Sequence, residues 1–284
     1  MTAAGAAAFE ASAAAISSRA QRFAAAALSL GADPLHIELR HTAGSGFALH
    51  AARAVSAGER VLRVPRSTWE PFSCERALAE AERVPTRHHL LRCARAVEEG
   101  LGQQGVAGAA NFARSVVFTV NLLQPAVELT DAERAYAEFL PRKGELDVPL
   151  LWEDERVALL EGSPALHQIN SRRGFTAAVH EALFGQSGAV SGQPAPVGDE
   201  GQPSSLPLAP VPPEDYCWAT SVLLSRATSS GAGAAAMASQ RPGDAPPFTL
   251  VPVMDCLNHA LEPNCQYAFD VRCPDPHSLA DFWS

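Results

Sequence analysis

Asp255, Asn258 and His259 stand in the stretch VPVMDCLNHALEPN, Val251 to Asn264, just where an apolar run stops. A carboxylate, an amide and an imidazole at that spacing admit three kinds of chemistry. With Cys256 and Cys265, Asp255 and His259 carry metal-ligand atoms, but the spacing follows no usual zinc arrangement. As structural residues, Asp255 caps a turn and His259 packs beside it. As binding residues, Asn258 and His259 offer amide and backbone groups to a nucleoside-type ligand at a strand end. On chemistry alone the structural role leads.

Two other segments carry comparable groups. In AGSGF, Gly44 and Gly46 flank Ser45 and let the backbone come close to a ligand with positive φ. This is not a dinucleotide fingerprint, because the third glycine and the following helix are absent, and for this segment alone a plain hairpin turn is the leading reading. In CWATSVLLSRAT, Trp218, Val222 and Arg226 follow one another at i, i+4 on one helix face. Arg226 then either complements the helix C-terminus or aims a guanidinium at a carboxylate.

These segments need elements to hold them. The Ala-rich start predicts a helix ending near Leu30-Gly31, and its composition, with Arg19 and Arg22, equally suits an organelle leader. LHIELR, FALHAAR and ERVLRVP alternate as short strands, with a turn at VSAGE. From Cys74 to Phe184 the pattern is helical. Thr130 and Glu133 form a capping box, and Ser163-Pro164 opens a long helix. Residues 186–213 and 228–247 are low-complexity and read as solvated loops. PEDYCWATSVLLSRA returns as a helix, FTLVPVMDCL and CQYAFDV as strands, and DPHSLADFWS ends without a closing element. The expected class is α+β, a β-rich core split by a helical insertion. Its parts are 1–30, 31–73, the insertion 74–247 and 248–284.

The chain has 284 residues, a formal net charge of -9 and 47% hydrophobic residues. That length supports one large domain or two modest ones, and the acidic balance argues against binding a phosphate backbone. Six cysteines without a C-x-x-C pair suggest reduced thiols in an intracellular protein, in cytoplasm or chloroplast. No apolar run is long enough to span a membrane.

Taken in order, the segments resemble the SET-domain methyltransferases of the Rubisco large-subunit methyltransferase-like branch. The matching positions are Gly44-Ser45-Gly46-Phe47-Ala48, Gly58-Glu59, Pro65, the helix with Trp218, Ser221, Ser225 and Arg226, and Pro252, Asp255, Asn258, His259. FLPRKGELDVPLLWEDERVALLEGS is similar to a further segment of that branch. The resemblance runs from about Phe23 to Asp270. It implies S-adenosylmethionine as cofactor, held by Gly44, Ser45 and Gly46, by Asn258 and His259, and at its carboxylate by Arg226. It places Asp255 and Tyr267 beside a substrate channel. The implied reaction is methyl transfer to a lysine of a protein substrate, or to histidine, since one member of the branch methylates actin.

The resemblance also implies a catalytic tyrosine in a Tyr-Gly context downstream of the Asn-His pair. Tyr136, Tyr216 and Tyr267 are the only tyrosines, and none matches it. The catalytic residue is thus unassigned, and a C-terminally truncated chain with poor turnover is expected. An inactive SET-fold interaction module is the alternative. Neither oligomeric state nor substrate protein follows from the sequence.

Overall fold

The structure, a computed structural model, describes residues 3–42, 46–106, 108–185, 208–228, 248–258, 266–269 and 280–283. Gly44, Ser45 and His259 lie outside the described residues, as do 186–207 and 229–247 of the two low-complexity stretches. The chain is mixed helix and strand with small antiparallel sheets, consistent with α+β, and helix outweighs strand. It divides into two compact units. The first comprises Met1–Arg76, Glu128–Glu145 and Arg226–Ser284; the second, Ala77–Val127 and Leu146–Ser225.

In the first unit the Ala-rich start forms α1 (Ala3–Ile16) and α2 (Ser18–Ser29). Ser17 separates them, its hydroxyl accepting from Ala20 N as the cap of α2. The expected stop is present: Gly31 has φ +97°, a left-handed conformation that favours glycine. Small residues let α1 lie against α2 and against β1 (Ile37–Thr42), with Phe9, Ala13, Phe23 and Ala27 buried. β1 and β2 (Gly46–Ala51) form an antiparallel hairpin that pairs Thr42 with Gly46 and Ile37 with Ala51. Ile37 and Leu39 are buried while Arg40 is exposed, the alternation of a half-buried strand. Gly58 (φ +79°) turns the chain into β3 (Arg60–Val64). A short α3 (Arg66–Trp69) follows.

Two expectations fail here. FTLVPVMDCL is not a strand: Thr249 makes an isolated bridge with Thr228, and Met254–Cys256 is a 3-10 turn. Pro252 supplies no ladder donor, and Val253 has φ +74°, which takes the chain out of extended geometry. The apolar run is still core, with Leu250, Val251 and Val253 all fully buried. Nor does the chain end without an element. β5 (Ala280–Trp283) lies between β3 and β4 (Gln266–Phe269), antiparallel to both. A strand this short shows no usable period, and its partner β3 is distant in sequence.

α7 (Asp131–Phe139) also belongs to the first unit and packs on α2. Its capping box is complete: Glu133 N donates to Thr130 Oγ1, and Thr130 N to the Glu133 carboxylate. Phe23 stacks on Phe139 with ring centroids 3.9 Å apart, and Tyr136 meets Phe72 edge-on at 4.5 Å.

The second unit is helical. Its elements are most of α4 (Cys74–Arg83), α5 (His88–Gln103), α6 (Ala109–Leu123), α8 (Asp154–Ala158), α9 (Pro164–Phe184) and all but the last residue of α10 (Pro213–Arg226). Ser163 caps α9 as expected, accepting from Ala165 N. α5 packs on α6 and α9. The described end of the first low-complexity stretch is only partly solvated: Ala209, Pro210, Pro212 and Pro213 are exposed, whereas Leu208 and Val211 are buried, and His180 Nε2 lies 2.7 Å from Val211 O.

Candidate functional site

The residues with chemistry in the first unit meet around Asp255. Three elements bring them there. The 3-10 turn Met254–Cys256 carries Asp255 and packs against β2, the strand that opens at Gly46 (φ +75°). Arg226 arrives as the last residue of α10. Tyr136 arrives from the buried face of α7.

Arg226 Nη1 donates to the Asp255 carbonyl at 2.9 Å and stands 3.5 Å from its Oδ2. Tyr136 Oη donates to that same Oδ2 at 3.1 Å. The Cys256 thiol donates toward Oδ1 at 3.7 Å. The Asp255 side chain is 1% exposed and that of Arg226 18%, so the pair lies largely out of water. Arg226 Nε is buried and has no hydrogen-bond partner among the described residues. The Nε atoms of Arg19, Arg63 and Arg66 are in the same state, so this feature does not by itself set Arg226 apart.

Burial sets the titration of this cluster. It pushes the Asp255 carboxyl above the usual carboxylate range, outweighing the Arg226 guanidinium and the hydrogen bonds that favour the anion. Burial, then the nearby Asp255 charge, pushes the Tyr136 phenol well above its ordinary value. The Cys256 thiol rises for the same two reasons. For Arg226, burial acts downward, but Asp255, Cys256 and Tyr136 together hold the guanidinium above its ordinary range. Tyr136 is therefore a proton donor in a hydrogen bond, Cys256 is no thiolate nucleophile, and Arg226 stays cationic.

Of the residues singled out in the sequence, the structure brings together Asp255 and Arg226, and Gly46 belongs to the same unit. Asn258 follows the turn and is exposed. Tyr267 lies on β4, in register with Phe282 of β5. The metal alternative rests partly on His259 and Cys265, which lie outside the described residues, and no group of metal-ligand side chains occurs among the described ones. There too, no helix is long and apolar enough to cross a membrane, and Cys74, Cys93, Cys217 and Cys256 are not in disulfides. Tyr136 was not foreseen. Its one signal is a tyrosine on the apolar face of an amphipathic helix, where a buried phenol needs an acceptor; nothing local names that acceptor.

No protein-family model matches the chain, and no curated protein is significantly similar to it.

Proposed function

We propose that this chain binds S-adenosylmethionine and transfers its methyl group to a side-chain nitrogen of a protein, lysine in the first instance and histidine as the alternative amine. On this reading the β1–β2 hairpin and the β3–β5–β4 sheet are strands of a SET core, and the helices of the second unit are its insertion. The observation that carries the reading is the Arg226–Asp255 pair, largely out of water, on the turn that packs against the strand beginning at Gly46. A guanidinium suits a ligand carboxylate, which accepts two parallel N–H bonds. Gly46, at positive φ, lets the backbone approach a ligand without a Cβ in the way.

When bound, S-adenosylmethionine supplies a methyl group activated on sulfur. Arg226 would hold the carboxylate end, the Gly44–Gly46 turn the adjoining backbone, and Asn258 with His259 the nucleoside. The chain's contribution to rate is alignment, which can supply about 7–11 kcal/mol. The catalytic residue is unassigned.

Calorimetric titration with S-adenosylhomocysteine tests the reading. Arg226→Ala should weaken binding by about 1.5–3 kcal/mol, and Arg226→Lys should restore only part, because an ammonium lacks the fork. Absence of binding at millimolar ligand, with the fold verified by circular dichroism, would refute it. Radiolabelled methyl transfer to Rubisco large subunit, histone and actin then distinguishes substrates. One observation favours the second reading, a SET-fold interaction module without turnover: Arg226 Nη1 is already committed to Asp255. Under that reading Arg226→Ala lowers stability and the parent binds no cofactor.

A further inference from the structure

In the second unit α4, α5 and α6 line a cavity of about 210 Å³. Its floor is small and apolar: Ala94 of α5 with Ala113 and Val117 of α6, all buried. Leu91 and Ala94 on α5, and Ala110, Ala113 and Val117 on α6, recur at helical spacing, so one face of each helix borders the opening. Pockets that take a whole small ligand run to about 300–1,000 Å³, so this one suits a single apolar side chain. Arg95 and Arg114 stand at its rim with no hydrogen bond or ion pair among the described residues.

The same unit presents a side chain of that kind. Leu159 is 83% exposed, against 44% for Leu224 and 41% for Val127, the other exposed large apolar residues among the described ones. It ends α8 on an ordered corner: the amides of Leu159, Leu160 and Glu161 donate to the carbonyls of Arg156, Val157 and Ala158, and Val157 is buried beneath. Glu155, one turn back on the same face, and Glu161 are exposed and have no hydrogen bond or ion pair among the described residues. An apolar knob with free carboxylates beside it thus matches an apolar hole with free guanidiniums at its rim. We propose that the cleft of one copy of this chain receives Leu159 of a second copy, with Glu155 and Glu161 pairing with Arg95 and Arg114. Glu82 and Glu98, which also border the cleft, are exposed and stay in water. Knob and hole are different surfaces, so the contact is head-to-tail and each dimer keeps one free knob and one free hole.

Sedimentation velocity of the full chain at rising concentration is the test, with circular dichroism verifying each fold. The parent should self-associate into dimers and then longer species. Leu159→Asp removes the knob and keeps the hole; Ala110→Trp fills the hole and keeps the knob. Either change alone should weaken association by more than about tenfold. Mixed together, the two variants should form a dimer and nothing larger, the knob of one entering the hole of the other. If Ala110→Trp does not fold, Arg95→Glu, at an exposed position, takes its place in both measurements. A parent that stays monomeric up to millimolar concentration overturns the proposal. So does association that survives Leu159→Asp, or a mixture of the two folded variants that stays monomeric.

Discussion

Arg19 Nη2 donates to the Phe139 carbonyl at 2.8 Å and to that of Leu140 at 3.0 Å, so a side chain of α2 closes the C-terminal end of α7. The same guanidinium lies 5.7 Å from the ring centroids of both Phe47 and Phe139. Phe47 is the residue after Gly46, so Arg19 ties the hairpin strand to the helix that carries Tyr136. A cation at a helix C-terminus also opposes the partial charge of the terminal carbonyls.

Loss of this tie should be costly, and loss of its surface partner should not. Arg19→Met keeps the aliphatic stem and removes the charged donors, and should destabilise by about 2–4 kcal/mol. Glu145, whose side chain is 46% exposed, also pairs with Arg19. Glu145→Gln should cost at most about 1 kcal/mol near neutral pH, as exposed pairs do. Urea unfolding gives both values. Equal losses would mean that the exposed ion pair, not the carbonyl contacts, holds the elements together.

Elements with local signals were legible in the sequence. Thr130 and Glu133, Ser163-Pro164, and the glycines at 31, 46 and 58 each act within a turn or two of themselves, and each sits in the structure as its type and spacing suggest. What was not legible depends on distant partners. β5 owes its existence to β3 and β4, and Tyr136 meets Asp255 across 119 positions of chain. FTLVPVMDCL misled for a third reason. Burial makes a run apolar whether it is extended or folded into a turn, so composition could not report the backbone angle at Val253.

Asp255 and Glu145 should pull stability in opposite directions as pH changes. Burial lets Asp255 hold its proton above the unfolded carboxylate value of about 3.9. Between those two values the native chain binds more protons than the unfolded one. The stability from this group is therefore present at low pH and lost as pH rises through the folded value. The hydrogen bond from Arg19 holds Glu145 below its ordinary range, with burial opposing it. Its contribution is present above the unfolded value and lost as pH falls through the folded one. Urea midpoints from about pH 7 to 3 check both directions. The parent should gain on Asp255→Asn as the solution is acidified and lose ground to Glu145→Gln. A constant gap between parent and Asp255→Asn would mean that Asp255 does not titrate differently in the fold.

Val253 and Val251 provide a matched pair for measuring strain beside the site. Both side chains are fully buried, and both flank Pro252. They differ in backbone: Val253 has φ +74° and ψ -51°, whereas Val251 is not among the residues at positive φ. A β-branched residue in that region crowds its own Cβ, at a cost of order 1–3 kcal/mol, and persists only where surrounding structure enforces it. Here the enforcement comes from the packed apolar run on either side and from Asp255, fixed two residues on by Arg226 and Tyr136. Val→Gly removes the same buried side chain at either position, with a transfer loss of about 1.5–3 kcal/mol. At 251 nothing offsets that loss, and glycine adds unfolded-state entropy. At 253 glycine adopts the positive φ freely and recovers the strain. Val253→Gly should therefore be milder than Val251→Gly by about 1–2 kcal/mol in urea unfolding. Equal losses would show that Val253 carries no strain of its own, and that the turn presenting Asp255 is held by packing alone.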